Sequence, residues 1–347
     1  MKKLPVLFLW FCLSAPAYGQ ITFNHQYNFD FPFKVLTSVL PTDSCYYATG
    51  IITDTTGGSY KIGNIFIKFD LQGEVEFSKT LTTPGKFYET WLGDLIRTAD
   101  GGFVDIGLAK DSTIKGLVLK YNSVGDTLFT KEFFHPYYPD ASFLFTAAIK
   151  IGPEGKLWVL SGIDADLTDS HNGDIYLLEF DSLGNLLQTF TYGGPENQIP
   201  RSMLLESDGG IIIGANKSNT SMVRQNFVSR TYIFKIDSLG EVQWEYLSPV
   251  GQLFDRARDI VRTPDGGLIV ATGKGIEHPV NDASSQLRWY PYMFKLNAAH
   301  EFEWGREFRG TREVAGTSVV KAVPATDGSG YIGVRHEERI KCSIMGQ

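Results

Sequence analysis

Cysteine is scarce in this chain, with three in 347 residues. One of them, Cys12, lies in an N-terminal apolar stretch. The two that remain, Cys45 and Cys342, cannot make a disulfide framework, and no Cys-x-x-Cys spacing offers a zinc knuckle. A single bridge between them and a pair of free thiols are both open readings. Long hydrophobic runs are missing as well. Past residue 19 no stretch approaches 18 apolar residues, which excludes a membrane-spanning helix. Positive charge is short: 32 Lys and Arg face 39 Asp and Glu, a formal net charge of −7. With no run of like charge anywhere, nucleic acid is excluded as a partner. The six histidines (25, 135, 171, 278, 300, 336) form no His-x-x-x-His or His-Glu-x-x-His. No Gly-x-Ser-x-Gly elbow and no Walker loop is present. These gaps remove zinc hydrolysis, α/β-hydrolase chemistry and nucleotide hydrolysis, and leave no expected cofactor or metal.

The first 19 residues carry the marks of a secretory signal peptide. Lys2 and Lys3 precede a short apolar stretch, and Ala15-Pro16-Ala17-Tyr18-Gly19 supplies small residues for cleavage after Gly19. Leu9-Trp10-Phe11 are too bulky for lipoprotein processing at Cys12. Loss of the two lysines takes the formal charge from −7 to −9. The expectation is a protein secreted to the periplasm, cell surface or medium, with residues 20–347 as one domain and one monomer.

What the chain does have is a repeat. Five copies of one pattern recur about every 57 residues. Each contains an acidic-Gly-Gly turn before a short apolar strand, as at Asp100-Gly101-Gly102, Asp208-Gly209-Gly210 and Asp265-Gly266-Gly267. Glu154-Gly155 and Asp327-Gly328 are looser versions. Each also contains an apolar run closing on an Asp-Ser-x-Gly turn, as at Phe180-Asp181-Ser182-Leu183-Gly184 and Ile236-Asp237-Ser238-Leu239-Gly240. Phe69-Asp70-Leu71-Gln72-Gly73 and Tyr121-Asn122-Ser123-Val124-Gly125 are close variants, and Leu296-Asn297-Ala298-Ala299-His300 is a degraded one. The runs are β-branched and aromatic, four to six residues long, and no 11-residue window holds a helical period. The 36 glycines and 13% aromatic content suit short strands joined by tight turns.

Each repeat therefore reads as four antiparallel strands, a to d, and the whole as an all-β protein, a β-propeller of about six four-stranded blades. The blades fall near 36–82, 91–135, 144–192, 200–248 and 257–309, and a sixth begins at Thr317. That last blade has a strand a and a strand b, then breaks after Val334. Its strand c is missing or is the poor segment 340–344. Either the N-terminal run Ile21-Thr22-Phe23-Asn24-His25-Gln26-Tyr27 supplies a strand to close the ring, or the chain is truncated and the ring has seven or eight blades.

The stretches Tyr232-Ile233-Phe234-Lys235-Ile236-Asp237-Ser238-Leu239-Gly240-Glu241-Val242-Gln243-Trp244 and Thr263-Pro264-Asp265-Gly266-Gly267-Leu268 resemble the blades of secreted bacterial β-propeller repeat proteins. Those pair an Asp-Gly-Gly strand with a Lys-x-Asp-Ser-x-Gly-x-x-x-Trp hairpin, and many use type IX secretion. The resemblance covers nearly all of residues 20–347 and implies the fold; no sorting tail of that route follows here. Strands c and d also look like quinoprotein dehydrogenase blades, but the quinone-stacking and calcium-binding residues have no counterpart.

In this topology the a–b and c–d turns share one face and hardly vary. The b–c and d–a connections share the other and vary widely, at 110–115, 163–173, 215–230 and 272–291. A ligand should meet that variable face or the mouth of the central channel. Two loops there carry aromatics: Tyr137 and Tyr138 in one, and Arg288, Trp289 and Tyr290 in the other. Such side chains stack on sugar rings or anchor a protein, or else pack their own loops. Asp164-Ala165-Asp166-Leu167-Thr168-Asp169 is off register for calcium and reads as a solvated loop. Asp94 and Asp259 read as turn or inter-blade hydrogen-bonding residues. The resulting expectation is a non-catalytic binding scaffold for a protein or glycan. The alternative is a propeller enzyme acting on polysaccharide, which would need carboxylates gathered at the channel mouth. A third reading is a truncated or decayed product.

Overall fold

The structure is a computed structural model. It describes residues 27, 29, 31–55, 61–90, 94–134, 144–163, 173–218, 229–249, 253–254, 257–278, 286–308, 319–324, 331–335 and 344–345. Its strands sort, in chain order, into six antiparallel sheets. Phe33–Pro41, Tyr46–Asp54, Lys61–Phe69 and Val75–Leu81 are strands a to d of blade 1. Leu144–Ile151, Leu157–Ile163, Ile175–Phe180 and Leu186–Tyr192 make blade 3; Asn197–Leu205, Ile211–Ser218, Ser229–Ile236 and Val242–Leu247 make blade 4. Blades 2 and 5 have a broken strand a. In blade 2 it is Phe87–Glu89 plus Ile96–Arg97, both on strand b, Phe103–Lys110; Ile114–Tyr121 and Thr127–Phe133 follow. In blade 5 it is Leu253–Phe254 plus Asp259–Arg262 on Leu268–His278, followed by Gln286–Leu296 and Phe302–Glu307. Of the strand a expected over Leu92–Ile96, Ile96 opens the second piece, and residues 92–93 lie outside the described residues. Blade 6 holds Val319–Pro324, Tyr331–Arg335 and a short Ile344–Met345, so a strand c does form at the end of the poor segment.

The core lies between blades. One buried cluster joins Val104 and Val118 of blade 2 to Ile149, Val159 and Leu178 of blade 3. Equivalent clusters join blades 3 and 4, 1 and 2, and 4 and 5. Strands b and c are buried on both faces, which is why Ile175–Phe180 is buried at all six positions and reads as an unbroken apolar run. Cys45 is a free, buried thiol whose Sγ lies 3.2 Å from Thr42 Oγ1; Cys342 lies outside the described residues.

The turns explain the motifs. In all five c–d turns the Asp or Asn carboxamide or carboxylate accepts two backbone N–H groups. Asp181 Oδ1 takes Leu183 N at 2.9 Å and Asn185 N at 2.8 Å; Asp237, Asn122, Asp70 and Asn297 do the same. The charged residue before the last apolar residue of strand c reaches the a–b turn. Lys120 pairs with Asp100 at 2.9 Å, Lys295 with Asp265 at 2.5 Å, and Lys235 with Asp208. Blade 3 swaps the signs, Glu179 pairing with Lys156 at 3.0 Å. The turn glycine adopts a left-handed conformation, φ 85° at Gly240, and a side chain there would run into the Phe190 ring of the blade before. Gly240→Ala is expected to lower stability by about 1–3 kcal/mol, read from a urea midpoint; an unchanged midpoint would overturn this account of the turn. At the fifth turn His300 accepts the strain at φ 62° and stacks on Trp244 of the preceding blade, 3.9 Å between centroids.

The N-terminal residues join the ring at the other end. Tyr27, Phe29 and Phe31 pack on the blade 1 core of Ala48, Ile52, Ile65, Ile67 and Phe69. The Tyr27 hydroxyl donates to Gly73 O at 2.6 Å, just as Tyr192 on strand d of blade 3 donates to Gly240 O of blade 4 at 3.0 Å. Tyr27 thus stands toward blade 1 as an outer-strand residue stands toward the next blade. Residues 21–26 of the expected closing strand lie outside the described residues.

Candidate functional site

Strand a is innermost in every blade, and it is irregular at one place. A β-bulge falls between Leu36 and Ser38, Thr146 and Ala148, Pro200 and Ser202, and Val319 and Lys321. Blades 2 and 5 break the strand there instead. The residue after the irregularity pairs with the fourth residue of strand b: Ser38 with Thr49, Ala148 with Leu160, Ser202 with Gly214, Asp259 with Ala271, Lys321 with Val334. Extending the Ile96–Val104 register by two residues sets Asp94 opposite Ile106. Ser38, Asp94, Ala148, Ser202, Asp259 and Lys321 are therefore one position in six blades. All six line a single central cavity of about 340 Å³.

Three members of this ring close seams between neighbouring blades. Ser38 Oγ accepts from Leu95 N at 2.9 Å, Ser202 Oγ donates to Ala257 O at 2.6 Å, and Asp259 Oδ2 accepts from Ala322 N at 2.9 Å. The expected inter-blade role of Asp259 is thus observed, while Asp94 faces the channel. The remaining charge on the wall comes from Asp94, Lys150, Arg201, Arg258 and Lys321. Asp94 and Asp259 belong to blades 2 and 5, three apart in a ring of six, so they come from opposite sides of the channel. Lys150 and Lys321 likewise come from blades three apart, 3 and 6, with Lys150 two residues further along its strand than Ala148, the counterpart of Lys321. These four groups share one field. Burial raises the Asp259 pKa, Lys321 and then Lys150 draw it down, and the Asp94 charge raises it.

One step behind the wall, the third residue of strand b is apolar or small in five blades: Ala48, Val159, Ile213, Val270 and Gly333. In blade 2 it is Asp105, wholly buried. Its Oδ1 accepts from Ile106 N at 2.8 Å, and its Oδ2 has no hydrogen-bond partner among the described residues. Burial pushes its pKa up to about 7, against a nearby Thr49 hydroxyl and the Ile106 N–H, with Asp94 adding to the rise. Around it runs a buried polar seam between blades 1 and 2, in which Tyr121 Oη donates to Asn64 Oδ1 at 2.6 Å and Asn64 Nδ2 to Thr90 Oγ1 at 2.9 Å.

The two faces differ as the repeat implies. Among the described residues the five c–d turns have the same length, 70–74, 122–126, 181–185, 237–241 and 297–301, whereas the b–c connections run from 111–113 to 164–174. The b–c loop expected over 272–291 is smaller than that, because its strands extend to His278 and resume at Gln286; only 279–285 separates them. Arg288, Trp289 and Tyr290 accordingly stand in strand c of blade 5 rather than in a loop, opposite Ile276, Gly275 and Lys274. Tyr290 is buried, 7% exposed. Tyr137, Tyr138 and the acidic segment 164–169 lie outside the described residues.

No family model and no curated protein matches the chain. Its fold matches solved structures. An ulvan lyase of polysaccharide lyase family PL25, bound to -[GlcA(1-4)Rha3S]-, aligns with a TM-score of 0.57 at 9% identity, over 88% of this chain and 78% of that one. A protein of unknown function from Dyadobacter fermentans aligns with a TM-score of 0.51 at 9% identity, over 90% and 92%. At such identities the likeness is one of fold.

Proposed function

We propose that this chain is a secreted, non-catalytic β-propeller that binds a protein or glycan partner through the face bearing its b–c and d–a connections. The supporting observation is the asymmetry of the two ends. One end is held by turns of constant length and identical hydrogen bonding, and the other carries connections that differ by several residues from blade to blade. A rigid ring with one variable end is an arrangement suited to recognition. Secretion is drawn from the Lys2-Lys3 start, the apolar stretch and the small residues before position 20. Tyr137, Tyr138, Arg288 and Trp289 are the contacts proposed, with Tyr290 buried next to Trp289 in the same strand. A glycan and protein-partner screen of the secreted chain supplies the ligand. Tyr138→Ala and Trp289→Ala are then expected to weaken binding about tenfold or more with little change in unfolding midpoint. Binding that survives both and fails on Asp208→Ala, in the constant face, sinks the reading.

The rival, a propeller enzyme acting on polysaccharide, draws support from Asp94 and Asp259 entering one cavity from opposite blades. The wall there is not carboxylate-rich in the way that reading requires, since four cationic side chains accompany the two aspartates. Depolymerisation of a polysaccharide by the chain, lost in Asp94→Asn, is the result that would favour it.

A further inference from the structure

The chain is acidic overall, yet its central channel is not. Its lining carries four cationic side chains (Lys150, Arg201, Arg258, Lys321) and two carboxylates (Asp94, Asp259), a balance of plus two inside a protein of net −7. Such a reversal of sign, in a narrow passage walled by six sheets, concentrates field on whatever enters. Asp259 is partly committed, since its Oδ2 holds the backbone N–H of Ala322. Lys150 and Lys321 act on Asp259 through space, but among the described residues neither has a carboxylate within ion-pair distance. Held on opposed blades, they present two ammonium groups to one volume of about 340 Å³. That volume is at the lower end of small-molecule sites, too small for a polymer segment of any length and sufficient for a compact molecule. Hydroxyls from the Ser38 and Thr37 side of the wall add neutral hydrogen-bonding groups.

We propose that the central channel binds a small, doubly charged oxyanion, a dicarboxylate or a phosphate or sulfate ester, gripped between Lys150 and Lys321 with Arg201 and Arg258 adding positive potential. Asp94 then acts against the ligand: it lowers affinity and excludes molecules without two negative charges. The site is separate from the partner-binding face and stands or falls independently of it.

The test uses the full secreted chain at low ionic strength, titrated with succinate and with inorganic phosphate by calorimetry and by thermal shift. Binding of at least one probe at millimolar concentration or tighter is expected, weakening with added chloride. Lys150→Gln and Lys321→Gln should each reduce affinity about five- to tenfold, and the double variant should abolish it. Asp94→Asn should tighten binding about fivefold, an outcome that a merely structural role for Asp94 does not give. Preference for phosphate assigns an ester, and preference for succinate a dicarboxylate. The proposal is overturned if neither probe binds, if the folded double lysine variant binds as the parent does, or if Asp94→Asn weakens binding, which would make the occupant a cation or zwitterion.

Discussion

Asp105→Asn is expected to make the protein more stable at pH 8 and to flatten its loss of stability between pH 4 and pH 7. Asp105 is the one buried residue of its ring position that carries a charge, and its pKa stands near 7 in the folded state against 3.8 for the free side chain. A carboxyl of this kind binds its proton more tightly folded than unfolded. Its protonated form is undisturbed below about pH 4. As pH rises towards 7, the unfolded chain ionises freely while the folded chain must either hold the proton or bury a charge. Unfolding free energy falls across that window and levels off above it. At about 1.36 kcal/mol for each pH unit, and allowing for solvent penetration, the loss is on the order of 2–4 kcal/mol. The asparagine keeps an acceptor for Ile106 N and carries no charge. Surface aspartates with lowered pKa, such as Asp100 held near 2 by Thr98, Lys120 and Gly102 N–H, change stability only at lower pH. Urea unfolding of both proteins at pH 4.5 and pH 8 measures the difference. Parallel pH profiles for the two would rule out Asp105 as the source.

A chain beginning at Pro32 is expected to lose about 3–5 kcal/mol relative to one beginning at Gln20. Tyr27, Phe29 and Phe31 are each half-buried on the blade 1 core. Tyr27 also packs tilted against Phe69, 4.9 Å between centroids, and donates to Gly73 O. Burial of three aromatic rings to this extent accounts for the figure. The deletion also uncovers the blade 1 core residues on which these rings pack. Tyr27→Phe alone should cost about 1 kcal/mol, the worth of one hydrogen bond. If the shortened chain unfolds at the parental urea concentration, these residues are not what closes the ring.

The fold was legible in the chain because its signals are local. An Asp or Asn that captures two N–H groups, a glycine at positive φ and a lysine two residues before the turn act within one hairpin, and each leaves a mark at fixed spacing. The breaks in strand a of blades 2 and 5 are not legible, since Asp94-Leu95-Ile96 has the composition of a strand and only the packing of neighbouring blades decides that pairing with strand b begins at Ile96. The strands that extend to His278 and resume at Gln286 are hidden for the converse reason, that their residues alternate too little to announce strands. The channel wall was missed, though a signal for it exists. Asp94, Ala148, Ser202, Asp259 and Lys321 each stand six residues before the acidic residue of the turn (Asp100, Glu154, Asp208, Asp265, Asp327). Comparing that one column across repeats isolates the residues facing the axis. Asp105 left a fainter mark, one acidic residue inside a run of buried apolar ones.

Read around the axis, the column runs Ser38, Asp94, Ala148, then Ser202, Asp259, Lys321. Its first two members recur after three blades, and so do the two interrupted inner strands. The lining therefore has a half-turn symmetry that the six-fold blade pattern hides, with a triplet of blades as its unit. A molecule with two like ends can enter such a channel in either sense and meet the same serine and aspartate. The third column, alanine on one side and lysine on the other, is where the two senses differ, and Ala148→Lys would make the two halves of that ring match.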